Sequence, residues 1–276
     1  MLSIITAVHN QLAMNKIFLK TLKEYTHNTF ELIIIDNNST DGSREFFEEN
    51  GAIVIANEGN YSYPYCQNQG IKKAGYDIFL FFNNDIIVSP GWDMHLLNVL
   101  GKDNYDVVSF ASPDRCGNLK ETKTQGRTWN RIKYPILRLL GSSETALWMM
   151  FKLRYRNWKS FCESMFKKYA YQMSEGFSGS VIAMNRSGLE KAGYWDERMQ
   201  DADFDLYMRS RKRNEEFGDL KVLSIISGVY IHHFGRLTLK SRKKPRVFSD
   251  AKNLISFESK WKITMRYVSQ QFIKQV

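Results

Sequence analysis

The sequence predicts an α/β domain built on a doubly wound, mostly parallel sheet flanked by helices. Three observations carry that prediction. Short, continuously apolar, β-branched runs recur through the first hundred of the 276 residues, segments with helical spacing separate them, and polar residues gather where the runs end. Strands that are apolar throughout belong to a parallel sheet covered on both faces. In such sheets, ligands bind beyond the carboxyl ends of the strands.

The elements follow in order. Residues 2–8 form an apolar first strand, and 11–25 carry Leu12, Ile17, Leu19 and Leu22 at helical spacing. Residues 31–36 read as a second buried strand. The polar segment after it, 39–43, suits the start of a helix over 44–50. A third strand is expected over 52–56, a helix over 65–74 and a fourth strand over 76–82. Between residues 115 and 175 the composition shifts. Thirteen Lys and Arg oppose four Glu there, with Trp, Tyr, Phe and Met interleaved, which predicts an inserted, mainly helical, amphipathic subdomain. An α/β core resumes over 176–184, and another β-like run covers 221–230. A basic stretch, 236–246, precedes a closing helical pattern over 249–262. The expected boundaries are therefore 1–114, 115–175, 176–240 and 241–276.

Bulk composition narrows the partners. A net charge of +10 suits phosphates, nucleic acid or an anionic lipid surface. Cys66, Cys116 and Cys162 are far apart and form no CxxC pair, which argues against a disulfide scaffold or a structural zinc site and fits a reducing compartment. The first residues carry no basic segment and no cleavage site, so they read as a strand rather than a signal peptide. No apolar run approaches the roughly 20 residues that span a bilayer. These features predict a cytoplasmic protein, one that at most rests on the inner face of a membrane.

Polar residues at the strand ends are the candidates for chemistry. His9 and Asn10 follow the first strand, Asp36, Asn37 and Asn38 the second, and Asn83, Asn84 and Asp85 the fourth. A carboxylate closing an apolar strand is costly without a partner. Asp36 can accept hydrogen bonds from a nucleobase or ribose, or it can serve as a turn and cap residue. Phe79-Leu80-Phe81-Phe82 ending in Asn83-Asn84-Asp85 has the character of a divalent-cation corner, because Mg²⁺ and Mn²⁺ take both carboxylate and diphosphate oxygens. Gly176-Phe177-Ser178-Gly179-Ser180 allows close backbone approach. Asp201, Asp203 and Asp205 alternate at a helix start. Asp205 in the first turn gains from the helix dipole, and Asp203 just outside it is placed to act as a general base on an acceptor hydroxyl. An N-cap with a salt bridge to Arg209 or Arg211 is the structural alternative. The His232-His233 pair after a β-like run offers one metal or diphosphate contact.

Together these motifs resemble the family 2 glycosyltransferases of GT-A fold, especially the bacterial rhamnosyl- and galactosyltransferase-like branch. The resemblance covers 2–99 and 176–238 and leaves 115–175 largely unmatched. Val8-His9-Asn10 looks like the nucleotide-contacting end of the first strand, and Ile33 to Ser43 is close to the second-strand motif whose Asp contacts base or ribose. Asn68-Gln69-Gly70 is similar to the segment before the metal motif. Phe82-Asn83-Asn84-Asp85 matches the DxD position, with Asn83 in place of the first Asp. Asp203-Phe204-Asp205-Leu206 with Arg209 resembles the ED-x-DL-x-x-R segment, with Ala202 where Glu is usual.

The resemblance implies an inverting, metal-dependent displacement. Residues 1–114 would hold the nucleotide sugar and 176–240 the acceptor and base. It puts Ala7, His9, Asn10, Asp36, Asn38, Asn68, Asn83 and Asn84 on the donor. It puts Asp85 with His232 or His233 on Mn²⁺ or Mg²⁺, Asp203 as catalytic base, and Trp195, Asp196, Asp201, Asp205 and Arg209 on the acceptor side. The expected donor is a UDP- or dTDP-sugar and the expected acceptor a saccharide or lipid-linked glycan. The basic insertion leaves two further partners open: nucleic acid, with a modified base as acceptor, or an anionic membrane surface. Asn83 and Ala202 leave open a catalytically silent module that binds a nucleotide sugar or polyanion.

Overall fold

The computed structural model describes residues 1–116, 118–235, 237 and 247–274, the last four by their backbone. The apolar runs become strands of one sheet. β1 (Leu2–Val8), β2 (Phe30–Asn37) and β3 (Ile53–Asn57) alternate with α1 (Leu12–Tyr25), α2 (Ser43–Glu49) and α3 (Tyr63–Lys73) before β4 (Ile78–Phe82). These four strands are parallel, in the order β3-β2-β1-β4. The chain leaves β1 toward β2 on one side and comes back to β4 on the other. In sheets of this kind ligands sit beyond the carboxyl ends of the strands at such a reversal, here β1 and β4. α3 begins two residues earlier than the sequence predicts because Pro64 sits in its first turn, where a missing N–H costs nothing.

The second half completes the sheet. β5 (Ile86–Ile87), α4 (Trp92–Lys102) and β6 (Val107–Ala111) lead into α5 (Leu119–Leu140), α6 (Glu144–Tyr155) and α7 (Trp158–Tyr169). β7 (Met173–Glu175), β8 (Val181–Asn185), α8 (Arg186–Ala192), α9 (Ala202–Phe217), β9 (Ser224–Tyr230) and β10 (His232–His233) follow. The eight-stranded sheet runs β3-β2-β1-β4-β8-β6-β9-β7, with β8 and β7 antiparallel to their neighbours. The sheet is therefore mixed but mostly parallel. A register shift between Phe110 and Ala111 carries β9 past its partner and delivers β10 to pair with β5.

The basic insertion is helical, and it packs as a layer of the main core. Asn118, Ser143 and Asn157 cap α5, α6 and α7 by accepting from Glu121, Ala146 and Ser160 N–H groups, each cap worth about 1 kcal/mol. Trp129, Leu147, Met150, Phe151, Tyr155 and Trp158 bury against Met14 and Ile17 of α1 and Tyr230 and Phe234 beyond the sheet. The helix expected over 249–262 is instead a 3-10 turn, Ala251–Asn253, and the short α10 (Phe257–Trp261), while α11 (Met265–Lys274) lies beyond it. The basic stretch 236–246 lies outside the described residues apart from Leu237.

Candidate functional site

The ends of β1, β2 and β4 are tied into one polar edge. Asn10 (φ 59°), Gln11 (φ 73°) and Asn38 (φ 60°) take left-handed backbone there, a conformation costly for side-chain-bearing residues and least so for asparagine. Cross-links hold it. Asn10 N donates to Ser39 Oγ and Thr40 N to Asn10 Oδ1, both at 2.8 Å, and His9 Nδ1 lies 2.8 Å from the Asn37 carbonyl. Asn15 of α1 donates to Asn10 O and Ser43 Oγ and accepts from Asn84 Nδ2 at 2.7 Å.

That lattice sorts the residues expected to face a donor. Asn38 and Asn83 are half-buried, and their side chains bond no described residue. Ala7 stands half-exposed near the end of β1, opposite Ile35. Asp36 is different. It is fully buried and accepts from Arg44 Nε at 2.9 Å and Nη2 at 2.7 Å and from Ser39 N. Arg44, in the first turn of α2, reaches back and makes this carboxylate a turn anchor rather than a free base or ribose contact. Asn68 is also spent. It accepts from Trp195 N at 3.0 Å and donates to Trp195 O and Glu197 Oε1, both at 2.9 Å, clamping α3 to the loop before α9. Asn84 serves the same lattice through Asn15.

The two histidines of β10 part company, because successive residues of a strand face opposite ways. His232 is fully buried, with Nδ1 2.8 Å from the Tyr155 hydroxyl and its ring 4.3 Å from Trp129. Burial holds its pKa well below the usual value. It belongs to the helical layer, so the metal contact expected of it falls away. His233 Nε2 lies 3.1 Å from Asp85 Oδ1, and its Nδ1 meets Asp114 Oδ2. Burial alone would lower its pKa, but Asp85 and Asp114 on either side raise it to about 10.

This corner has the chemistry for a hard divalent cation. A histidine whose Nδ1 is held by a carboxylate presents Nε2 as a ligand, and Asp85 adds a hard oxygen. Asp85 and His233 are the residues that would hold such a cation, and it would supply positive charge beside a bound diphosphate. Among the described residues no three His, Cys, Asp or Glu converge as metal ligands.

α9 starts at Ala202, so Asp203 is inside its first turn rather than just before it. Asp205 is buried and accepts from Arg209 Nε at 2.8 Å, Trp261 Nε1 at 2.9 Å and Lys260 Nζ. Arg209 also donates to the carbonyls of Ala192 and Gly193. Asp196 binds Arg198 and Lys260, and the Arg198 hydrogen bond above all holds it well below the usual carboxylate range. Trp195 is buried against Phe81 and Tyr63. Four of the five residues expected on the acceptor side are thus framework. Asp201 is half-buried at the helix N-cap, with its pKa raised by burial and by Glu258.

Asp203 differs from those four framework residues. Its Oδ1 is buried without a partner, and burial, then the charge of Asp201, pushes its pKa from 3.8 to about 7. Its seat is made by Gly179, where a Cβ would stand 2.1 Å from Asp203 Oδ2. Buried hydroxyls pin that loop: Ser178 Oγ lies 2.7 Å from Ser112 Oγ, and Ser109 Oγ donates to the Ser178 carbonyl at 3.0 Å.

Several contributors escape sequence reasoning. The Tyr63 hydroxyl and the Gln67 amide, one turn apart on α3, are buried without partners. Burial, then the charge of Asp203, raises the Tyr63 pKa. Trp129 Nε1 and Lys133 Nζ donate to the Phe234 carbonyl at 3.1 and 2.9 Å and brace the histidine segment. Their partners lie about a hundred residues away, and no local pattern announces them.

Comparisons with known proteins bear on the family and the fold. The profile of the family described as Glycosyl transferase family 2 matches residues 3–160. The chain is 29% identical over 161 residues to the uncharacterized glycosyltransferase YibD of Escherichia coli K12, an overlap that covers 57% of this chain and 45% of that protein. The chain thus spans less than half the length of that curated relative. The crystal structure of S. aureus TarS 1-349 superposes with a TM-score of 0.52 at 15% identity, covering 85% of this chain and 60% of that one. TarS in complex with UDP gives 0.50 at 15% identity, covering 84% and 59%. At that identity the likeness speaks for a shared GT-A fold alone.

Proposed function

The chain belongs to glycosyl transferase family 2, and from that premise we propose that it moves a sugar from a nucleoside-diphosphate donor to an acceptor hydroxyl with inversion, Asp203 acting as the base. The acceptor in this reading is a saccharide or a lipid-linked glycan. The observation that carries it is the contrast within α9: Asp205 is bound three ways, while Asp203 is unpartnered and titrates at about 7. A carboxylate with so high a pKa is a far better proton acceptor than an ordinary aspartate and is still ionised near neutral pH.

In the proposed step, Asp203 takes the acceptor proton as that oxygen attacks the anomeric carbon. The carbon–oxygen bond to the diphosphate breaks on the opposite face, and the single displacement inverts the centre. Asp85 and His233 would hold Mn²⁺ or Mg²⁺, which when bound offsets the charge gathering on the leaving diphosphate. The amides of Asn38 and Asn83, which bond no described residue, are available to the donor. UDP- and dTDP-sugars are the donors of choice, UDP first, because TarS is seen with UDP.

The test is slow hydrolysis of a panel of α-linked UDP- and dTDP-sugars with Mn²⁺, followed by NMR. Release of the β-sugar first supports the reading, since water then takes the acceptor's place. Release of the α-sugar first rules out a single displacement.

Gly179→Ala gives a second check. Its Cβ would collide with the Asp203 carboxylate while leaving the donor edge alone. Turnover is expected to fall about 10- to 100-fold, with nucleotide affinity unchanged by calorimetry. Equal loss of both would point to general disruption of the loop.

A further inference from the structure

We propose that the α5–α6 hairpin is a docking surface for an anionic lipid bilayer. Residues 115–175 hold nine of the chain's ten net positive charges, thirteen Lys and Arg against four Glu. The structure arranges much of that excess in one line. Lys120, Lys123, Arg127, Arg131, Tyr134 and Arg138 follow at three- and four-residue spacing along α5, and all six are exposed. None of the five cations forms an ion pair among the described residues. The helix is about 33 Å long, so the stripe presents a flat cationic face rather than a point. The opposite side of α5 is fixed: Trp129 and Lys133 are buried and reach the Phe234 carbonyl.

A cationic stripe alone would suit nucleic acid equally well. The end of the helix decides between them. Leu139 is 80% exposed and Leu140 56% exposed, side by side after Arg138 at the turn into α6. Phosphodiester backbones have no use for a pair of solvated leucines at the tip of a basic helix. A bilayer does: cations pair with anionic headgroups while the apolar tip enters the acyl boundary. The surface lies outside the sugar-transfer residues, and it places a membrane-borne acceptor beside the helix that braces the histidine segment. Vesicle binding involves no sugar chemistry, so its failure would leave the transfer reading intact.

The test is co-sedimentation of the full chain with phosphatidylcholine vesicles, with and without about one third phosphatidylglycerol. The expected result is binding to the anionic vesicles only, weakened about tenfold or more on raising salt to roughly 0.5 M. Leu139→Ser with Leu140→Ser, and separately Arg127→Gln with Arg131→Gln and Arg138→Gln, should each weaken binding about tenfold. All five positions are exposed, so circular dichroism should be unchanged. No binding to anionic vesicles overturns the proposal. So does full binding by the leucine variant, or retention of duplex DNA without any vesicle binding.

Discussion

Asp203→Asn is expected to lower sugar transfer by about 10²- to 10⁴-fold while leaving nucleotide affinity within about twofold of wild type. The amide keeps the volume of the side chain beside Gly179 but cannot take a proton. The pH profile separates this from a packing defect. Because burial and Asp201 raise Asp203 to about 7, wild-type turnover should climb with pH through that value, and the residual rate of the variant should lack the limb. The same shift predicts a stability signature of known sign. A carboxyl whose folded pKa is raised stabilises the fold most when protonated, and that contribution is lost as pH rises from about 4 through about 7. Thermal unfolding at about pH 5 and pH 8 should therefore show the Asn variant gaining on wild type at the higher pH. Wild-type transfer by Asp203→Asn would refute the base assignment.

Asp85→Ala should remove the metal-dependent part of nucleotide binding, weakening it by about 100-fold or more. Loss of even an outer-shell partner of a metal ligand costs about 10- to 100-fold, and among the described residues Asp85 is the carboxylate that meets His233 Nε2. Without it His233 is held by Asp114 alone. His233→Ala should reproduce the defect. His232→Ala should instead lower stability, because that ring fills the aromatic layer formed by Trp129, Phe151 and Phe234. Calorimetry in Mn²⁺ and in chelator separates the two effects. Full metal dependence in Asp85→Ala would move the metal site elsewhere.

The strands of the first half were legible because a parallel sheet buried on both faces leaves runs such as Ile33-Ile34-Ile35 in plain view. Boundaries then shifted only by caps and by Pro64. The sequence pointed to Asp203 as the candidate base and put Asp205 on the acceptor side, but it could not show that Asp205 is taken up by framework contacts. Those contacts rest on Lys260 and Trp261, more than fifty residues downstream. Asp36 and Asn68 show the opposite limit. Their chemistry suits a ligand, yet Arg44 and the Trp195 backbone occupy them. His232 and His233 could not be told apart until the register of β10 on β5 was known. The segment expected as a helical insertion holds α5 to α7 but also β7 of the central sheet, and its role in bracing the histidines depends on contacts across about a hundred residues.

The most direct measurement is calorimetric binding of UDP, dTDP, GDP and CDP, each with Mn²⁺ and with chelator. Tight binding of UDP or dTDP in Mn²⁺, weakened at least about tenfold by chelation, is the predicted result. No binding of any of the four in either condition would contradict a nucleotide-sugar transferase.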